Sequence, residues 1–240
     1  MTTEPIAIPL IERNETLAEQ AYDRLRSALA SGAFKPGETL SIRRLAGLLG
    51  ISATPARDAI SRALWEHSLE TGPNRTFLVP QLTLESLQAI YTLRINLEGL
   101  ATELAARHFD SAMIRKLETI HDAHTNAVDD AAYAKALQAN ESFHFFVYEN
   151  SGNTLLTDII RTLWLKMGPS LNLLYPAYVD RRGQNHHSHV LAALRKRDAV
   201  AARAAMVADL KEGQAELERA LTLSLRPPAT AKKSPRRQAG

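Results

Sequence analysis

Residues 41–55, SIRRLAGLLGISATP, leave little choice of fold. Ser41 can cap a helix that carries Leu45, Leu48 and Leu49, and Gly50 stops it. After only three residues, Thr54 and Pro55 start another helix. Thr is a good N-cap, and Pro is preferred at the first helical position. Ile60, Ala63 and Leu64 form the inner face of that second helix. So short a connection sets the two helices at a steep angle.

The flanks extend the pattern. Leu17, Ala21, Leu25, Ala28 and Leu29 recur at helix spacing from Thr16, and Gly32 sits where a C-terminal cap belongs. FKPGETL then predicts a turn around Pro36-Gly37 leading into a short extended piece. Past the helix that begins at Thr54, ETGPNRTFLVP predicts two short strands around a tight turn. Helix, helix, short turn, helix and hairpin is the layout of a winged helix-turn-helix. In that motif one helix can lie in a DNA major groove while its partner crosses the backbone.

From Thr83 to about Leu225 the chain reads as helical. The spacing predicts helices at 84–108, 110–128, 130–150, 153–174, 185–196 and 198–224. Asp110, Asn153 and Asp198 are their N-caps, and Gly152 and Gly183 mark breaks. The predicted fold class is mostly α: a winged helix-turn-helix followed by an all-α bundle of about six helices. The predicted organisation is an arm at 1–12, a DNA-binding domain at 13–80, a helical domain at 81–225 and a tail at 226–240.

Composition supports a protein with a sizeable core: 45% of its 240 residues are hydrophobic and 23% charged. With no cysteine, disulfides and thiolate metal sites are excluded. No apolar run approaches a membrane span, and the N-terminus lacks the order of a signal peptide, so a cytoplasmic location is expected. Residues 226–240 hold five basic residues and no acidic one, so the rest of the chain carries −2 against +3 for the whole. The basic tail, rich in Pro and Ala, is expected to be disordered. There is no Gly-rich phosphate loop and no nucleophile motif.

Two pairs in the helical half carry chemistry. Asn140 and His144 are four apart on a helix face that also holds Leu137 and Val147, so they point inward. A buried histidine needs partners. Arg94 and Glu98 interrupt the apolar stripe Leu87, Ile90, Leu97, Ala101 and Leu104. They form either a structural ion pair or a carboxylate receptor built on Arg94. Of the cluster NHHSHV at 185–190, His187 lies on the inward stripe with Leu191 and Leu194. His189 is about 200° around the helix and should be wet, and His186 flanks the stripe.

The stretch LAEQAYDRLRSALASGAFKPGETLSIRRLAGLLGISATPARDAISRAL resembles the DNA-binding domain of GntR-family bacterial transcription factors. LRINLEGLATELAA, FHFFVYENSGN and HSHVLAALRKRDAVAARAAM resemble the FCD ligand-binding domain of the FadR-type subgroup. The resemblance implies a dimeric, effector-responsive transcription regulator. It assigns Arg43 to the DNA backbone, and Ser52, Thr54 and Arg57 to contacts at the start of the recognition helix, with Asn74 and Arg75 as the contacts of the wing. Hydroxyls and free N–H groups at a helix start suit phosphate, and Arg can read guanine. Ala53 replaces an Arg that usually contacts a base.

The resemblance also implies a metal site of Asn140, His144, His187 and Asp209. Asn140 replaces the family's Asp, and Asp209 its final His. The set still holds one carboxylate and two imidazoles, which suits a divalent ion such as zinc, nickel or manganese without choosing among them. Arg94, Asn140, His144, His187 and Tyr175 are the expected effector contacts, and a small organic acid the expected effector. The expected partners are a palindromic double-stranded DNA operator and a second copy of the chain, with repression the expected sign. The rival readings are a helical metalloenzyme with a two-His-one-carboxylate site and an architectural DNA binder without an effector.

Overall fold

The computed structural model describes residues 16–174 and 186–224. The predicted arm and basic tail, and Tyr175 and Gly183, lie outside the described residues. So do Arg181 and Arg182.

The first half opens with α1 (Leu17–Ala30). Thr16 and Glu19 close a capping box at its start, and Gly32 follows its end at φ 71°. Next come β1 (Thr39–Leu40), α2 (Ile42–Leu49) and α3 (Ala53–Trp65). Ser41 caps α2 by accepting from the Arg44 N–H, and Gly50 ends it in the left-handed region. The start of α3 differs from expectation. The helix begins at Ala53 after Ser52, and Thr54 is its second residue rather than its cap. Pro55 is tolerated there because the first N–H groups of a helix have no partner within it.

β2 (Glu70–Thr71) and β3 (Phe77–Leu78) form the expected hairpin, and β1 adds to it. The antiparallel order is β1-β3-β2, so the extended piece after Pro36-Gly37 belongs to the wing. The hairpin turn holds Asn74 and Arg75 at φ 54° and 58°. Two successive left-handed residues match the right-handed twist of a two-stranded ribbon. Leu25, Leu29, Leu40, Leu45, Ile60, Leu69 and Val79 fill the core of this half.

The second half is helical. It comprises α4 (Leu84–Ala105), α5 (Ser111–Asp129), α6 (Tyr133–Glu149), α7 (Thr154–Met167), α8 (His186–Arg195) and α9 (Ala199–Ser224). Asp110, Asn153 and Asp198 cap α5, α7 and α9 through their side chains. The helix expected over 153–174 stops at Met167 and tightens into a 3-10 turn, Gly168–Leu174. Pro169 has no N–H to continue the α-helical ladder. α4 lies along α9, α5 packs between α6 and α8, and α7 crosses α4. The main core gathers Phe109, Leu117, Phe143, Tyr148, Trp164 and Leu194.

The end of α7 serves both halves. Trp164 packs in the bundle core and Met167 in a second bundle cluster, while Leu165 is part of the winged-helix core. α1 rests on α7 and on the 3-10 turn. The contact is close enough to exclude a side chain at Gly168. A Cβ there would stand 2.2 Å from the Leu29 carbonyl oxygen and 2.5 Å from the Ala30 Cα. Backbone must move to admit it, so Gly168→Ala is expected to cost about 1–3 kcal/mol. Urea unfolding checks this; an unchanged midpoint would refute the close approach.

Candidate functional site

One candidate surface lies on the winged helix. Arg43 on α2, Ser52, Thr54 and Arg57 at the start of α3, and Asn74 and Arg75 in the wing are all exposed. Neighbouring arginines are divided in use. Arg44 donates to the Thr39 carbonyl at 2.7 Å and pairs with Glu38 at 2.5 Å. Arg62 pairs with Glu66 and covers the Tyr22 ring at 4.0 Å. Arg43, Arg57 and Arg75 have no ion-pair partner among the described residues, so their charge faces outward. Ala53 is exposed beside them and adds no polar group.

The second candidate is a small cavity inside the bundle, about 50 Å³, lined by Tyr91, Arg94, Asn140, His144, Trp164 and Asp209 among others. Arg94 and Glu98 are 2% and 0% exposed, and they pair at 2.5 and 3.2 Å. Glu98 collects two further donors, the Trp164 Nε1–H at 3.1 Å and the Tyr148 hydroxyl at 2.5 Å. The Arg94 guanidinium also stands 4.5 Å from the Trp164 ring centre. Burial opposes the charge of Arg94, but Glu98 beside it raises its pKa above the ordinary value.

This cluster orients His144. Because the Tyr148 hydroxyl donates to Glu98, it is set to accept from the His144 Nδ1–H, 2.9 Å away. On the other side of the ring Nε2 faces Asp209 Oδ2 at 3.3 Å, where an Nε2–H donates to the carboxylate and its removal would free a lone pair for a metal. A hydrogen bond on the far nitrogen is how metal-binding histidines are commonly fixed. His144, His187 and Asp209 offer ligand atoms within 4.8 Å of one another, and Asn140 lines the cavity with His144 and Asp209. Two imidazoles and a carboxylate fit a divalent first-row ion.

Charge is distributed to match. Burial works against ionised Asp209, yet His144, and then the charges of His187 and His186, hold its carboxyl well below the ordinary range. His187 is 5% exposed and stacks on Phe143, with ring centres 3.9 Å apart. Burial drives its pKa well below the ordinary value. Asp209 opposes the shift, and His144, His124 and His121 add to it. His186 pairs with Glu212 at 2.5 Å, and His189 is exposed. The NHHSHV cluster is thus divided, with His187 alone buried.

Comparison with known proteins agrees with both halves. Residues 17–79 match "Bacterial regulatory proteins, gntR family", and residues 89–212 match the FCD domain. The chain is 30% identical over 190 residues to the HTH-type transcriptional regulator McbR of Escherichia coli K12, covering 78% of this chain and 86% of McbR. The chain belongs to the GntR family of transcriptional regulators, with an FCD domain. The solved E. coli McbR/YncC structure superposes with a TM-score of 0.80 at 28% identity, over 85% of this chain and 98% of that one. A GntR regulator from Rhodococcus sp. RHA1 shares the fold, with a TM-score of 0.69 at 18% identity, over 88% and 99% of the two chains.

A GntR-family chain of this kind is a DNA-binding transcription regulator, not an enzyme. Among the described residues, no helix is long and apolar enough to cross a membrane. Some features of the cavity are absent from the sequence reading. Glu98 receives three donors rather than Arg94 alone, and His121 and His124 on α5 lie beside His187. The signal for the two histidines is present in HDAH, whose spacing of three puts both on one helix face.

The buried His187 gives a pH dependence. Unfolded, it takes up a proton near pH 6.5; folded, it resists. The unfolded state therefore binds more protons below that pH, and stability, full above it, is lost as pH falls. Metal-free protein should lose up to about 1.4 kcal/mol per pH unit from this group in urea unfolding between about pH 6.5 and 5. His187→Leu should flatten the slope; an equally steep slope in the variant would refute the assignment.

Proposed function

We propose that this chain is a cytoplasmic repressor that binds a palindromic operator as a homodimer and is released by a small organic acid held in the bundle cavity. Arg43, Ser52, Thr54, Arg57, Asn74 and Arg75 make the DNA contacts, with Arg57 reading base edges. Two recognition helices reach successive major grooves roughly 34–36 Å apart. In the bundle, Asn140, His144, His187 and Asp209 hold a divalent metal ion, which supplies a Lewis-acid anchor for the effector carboxylate. Arg94 stands on the cavity wall as the second anion partner.

The observation that carries the reading is the link between cavity and DNA-binding half. Trp164 lines the cavity and donates to Glu98 behind Arg94, and the next residue, Leu165, belongs to the winged-helix core. An effector that shifts the end of α7 therefore shifts the seat of α1. Linkage requires only that the effector bind the two placements unequally. The size of the cavity narrows the effector. About 50 Å³ suits an ion with its waters or a carboxylate of few carbons, well below the roughly 300 Å³ of an ordinary ligand pocket.

Mobility-shift titration on the region upstream of the regulated gene tests the DNA contacts. Arg57→Ala should weaken specific binding by about 1–3 kcal/mol, or roughly 5- to 150-fold, with the dimer intact. Unchanged affinity would remove Arg57 from the interface. A thermal-shift screen of short carboxylic acids tests the cavity. The active acid should raise the midpoint of the wild type and release the operator, and His144→Ala should abolish both effects. An acid that still acts on His144→Ala would place the effector elsewhere.

A further inference from the structure

We infer that His121 and His124 of α5 and His187 of α8 form a second divalent-metal site, built of imidazoles alone. One ring nitrogen from each lies within 4.8 Å of the others. The ring centres of His121 and His124 stand 5.7 and 5.0 Å from that of His187. The two α5 histidines are three residues apart, so both project from one face of a helix that packs directly on α8. The His121 Nδ1 and the His124 Nε2 are shut off from solvent.

The placement argues for a site rather than filler. The space between α5 and α8 borders the bundle core, where Leu117, Phe143, Val190 and Leu194 pack. The three rings gather there, with His187 itself 5% exposed. Metal–nitrogen bonds of about 2.1 Å set neighbouring donors about 3 Å apart. The present spread of up to 4.8 Å is wider than that, so binding requires the half-buried His121 and His124 rings to turn toward His187, whose plane is stacked on Phe143.

The chemistry of this site differs from that of the neighbouring one. Three neutral imidazoles leave the full double charge of the ion uncompensated, so it keeps open positions for water or an anion. A nitrogen-only set favours nickel, copper or zinc over manganese or magnesium. His187 belongs to both donor groups, so the occupancy of one bears on the geometry of the other.

The test uses the full chain purified without a His-tag and stripped with chelator. Nickel is titrated by calorimetry, and crystals soaked in nickel are measured at its absorption edge. The expected result is an anomalous peak among His121, His124 and His187. The double variant His121→Gln/His124→Gln should lose that peak and bind the corresponding nickel about tenfold or more weakly. The variant Asn140→Ala/Asp209→Asn should keep both. Absence of a peak at this position in the wild type overturns the proposal, whatever the variants do. So does nickel binding that is unchanged in the histidine double variant. Failure here leaves the effector cavity standing, because the response to a short acid is read separately in His144→Ala.

Discussion

The bundle is organised around the carboxylate of Glu98. It lies out of reach of solvent and accepts from Arg94, Trp164 and Tyr148. Those donors come from α4, α7 and α6, so one side chain fixes three helices relative to each other. Breaking a buried pair by removing one partner typically costs about 3–5 kcal/mol, because the other charge is left stranded. The same carboxylate accepts from the Tyr148 hydroxyl, which leaves that oxygen to accept from the His144 Nδ1–H. Of the two readings of Arg94 and Glu98 offered by the sequence, the ion pair is present, and it belongs to the network that also holds His144.

Local signals were legible in the sequence and distant ones were not. Ser41, Asp110, Asn153 and Asp198 cap helices as their residue types and positions indicate. Gly32, Gly50 and Gly152 adopt the left-handed region that their place at helix ends suggests. The inward stripe of α8 correctly separates His187 from His189. Errors arise where two local rules compete. Thr54 is a good cap by type, yet Ser52 stands in the extended conformation two residues earlier and the helix starts there. Apolar periodicity runs through Gly168-Pro169, yet the missing proline N–H turns the chain into a tighter helix. Partners of Glu98 fifty and sixty-six residues away leave no periodic trace.

The winged helix shows the same economy among its cations. Arg43 and Arg44 are adjacent on one short helix, but only Arg44 is tied down, joining α2 to β1 and Glu38. Arg62 is similarly engaged against Tyr22 and Glu66. The arginines left facing outward trace a path from α2 across the start of α3 to the wing. Arg75 in particular is exposed and held in a left-handed conformation in the hairpin turn, at some backbone cost.

The contact at Gly168 bears on how such regulators can be recombined. Joining this DNA head to another helical domain by a cut near Pro80 would separate Leu29 and Ala30 from the glycine that lets them approach. Any residue with a Cβ in that place meets the Leu29 carbonyl. A working chimaera must therefore carry the end of α1 and residues 165–168 together, although more than a hundred residues separate them in the chain. The unit of inheritance is a matched pair of surfaces, and the linker is not where the two halves come apart.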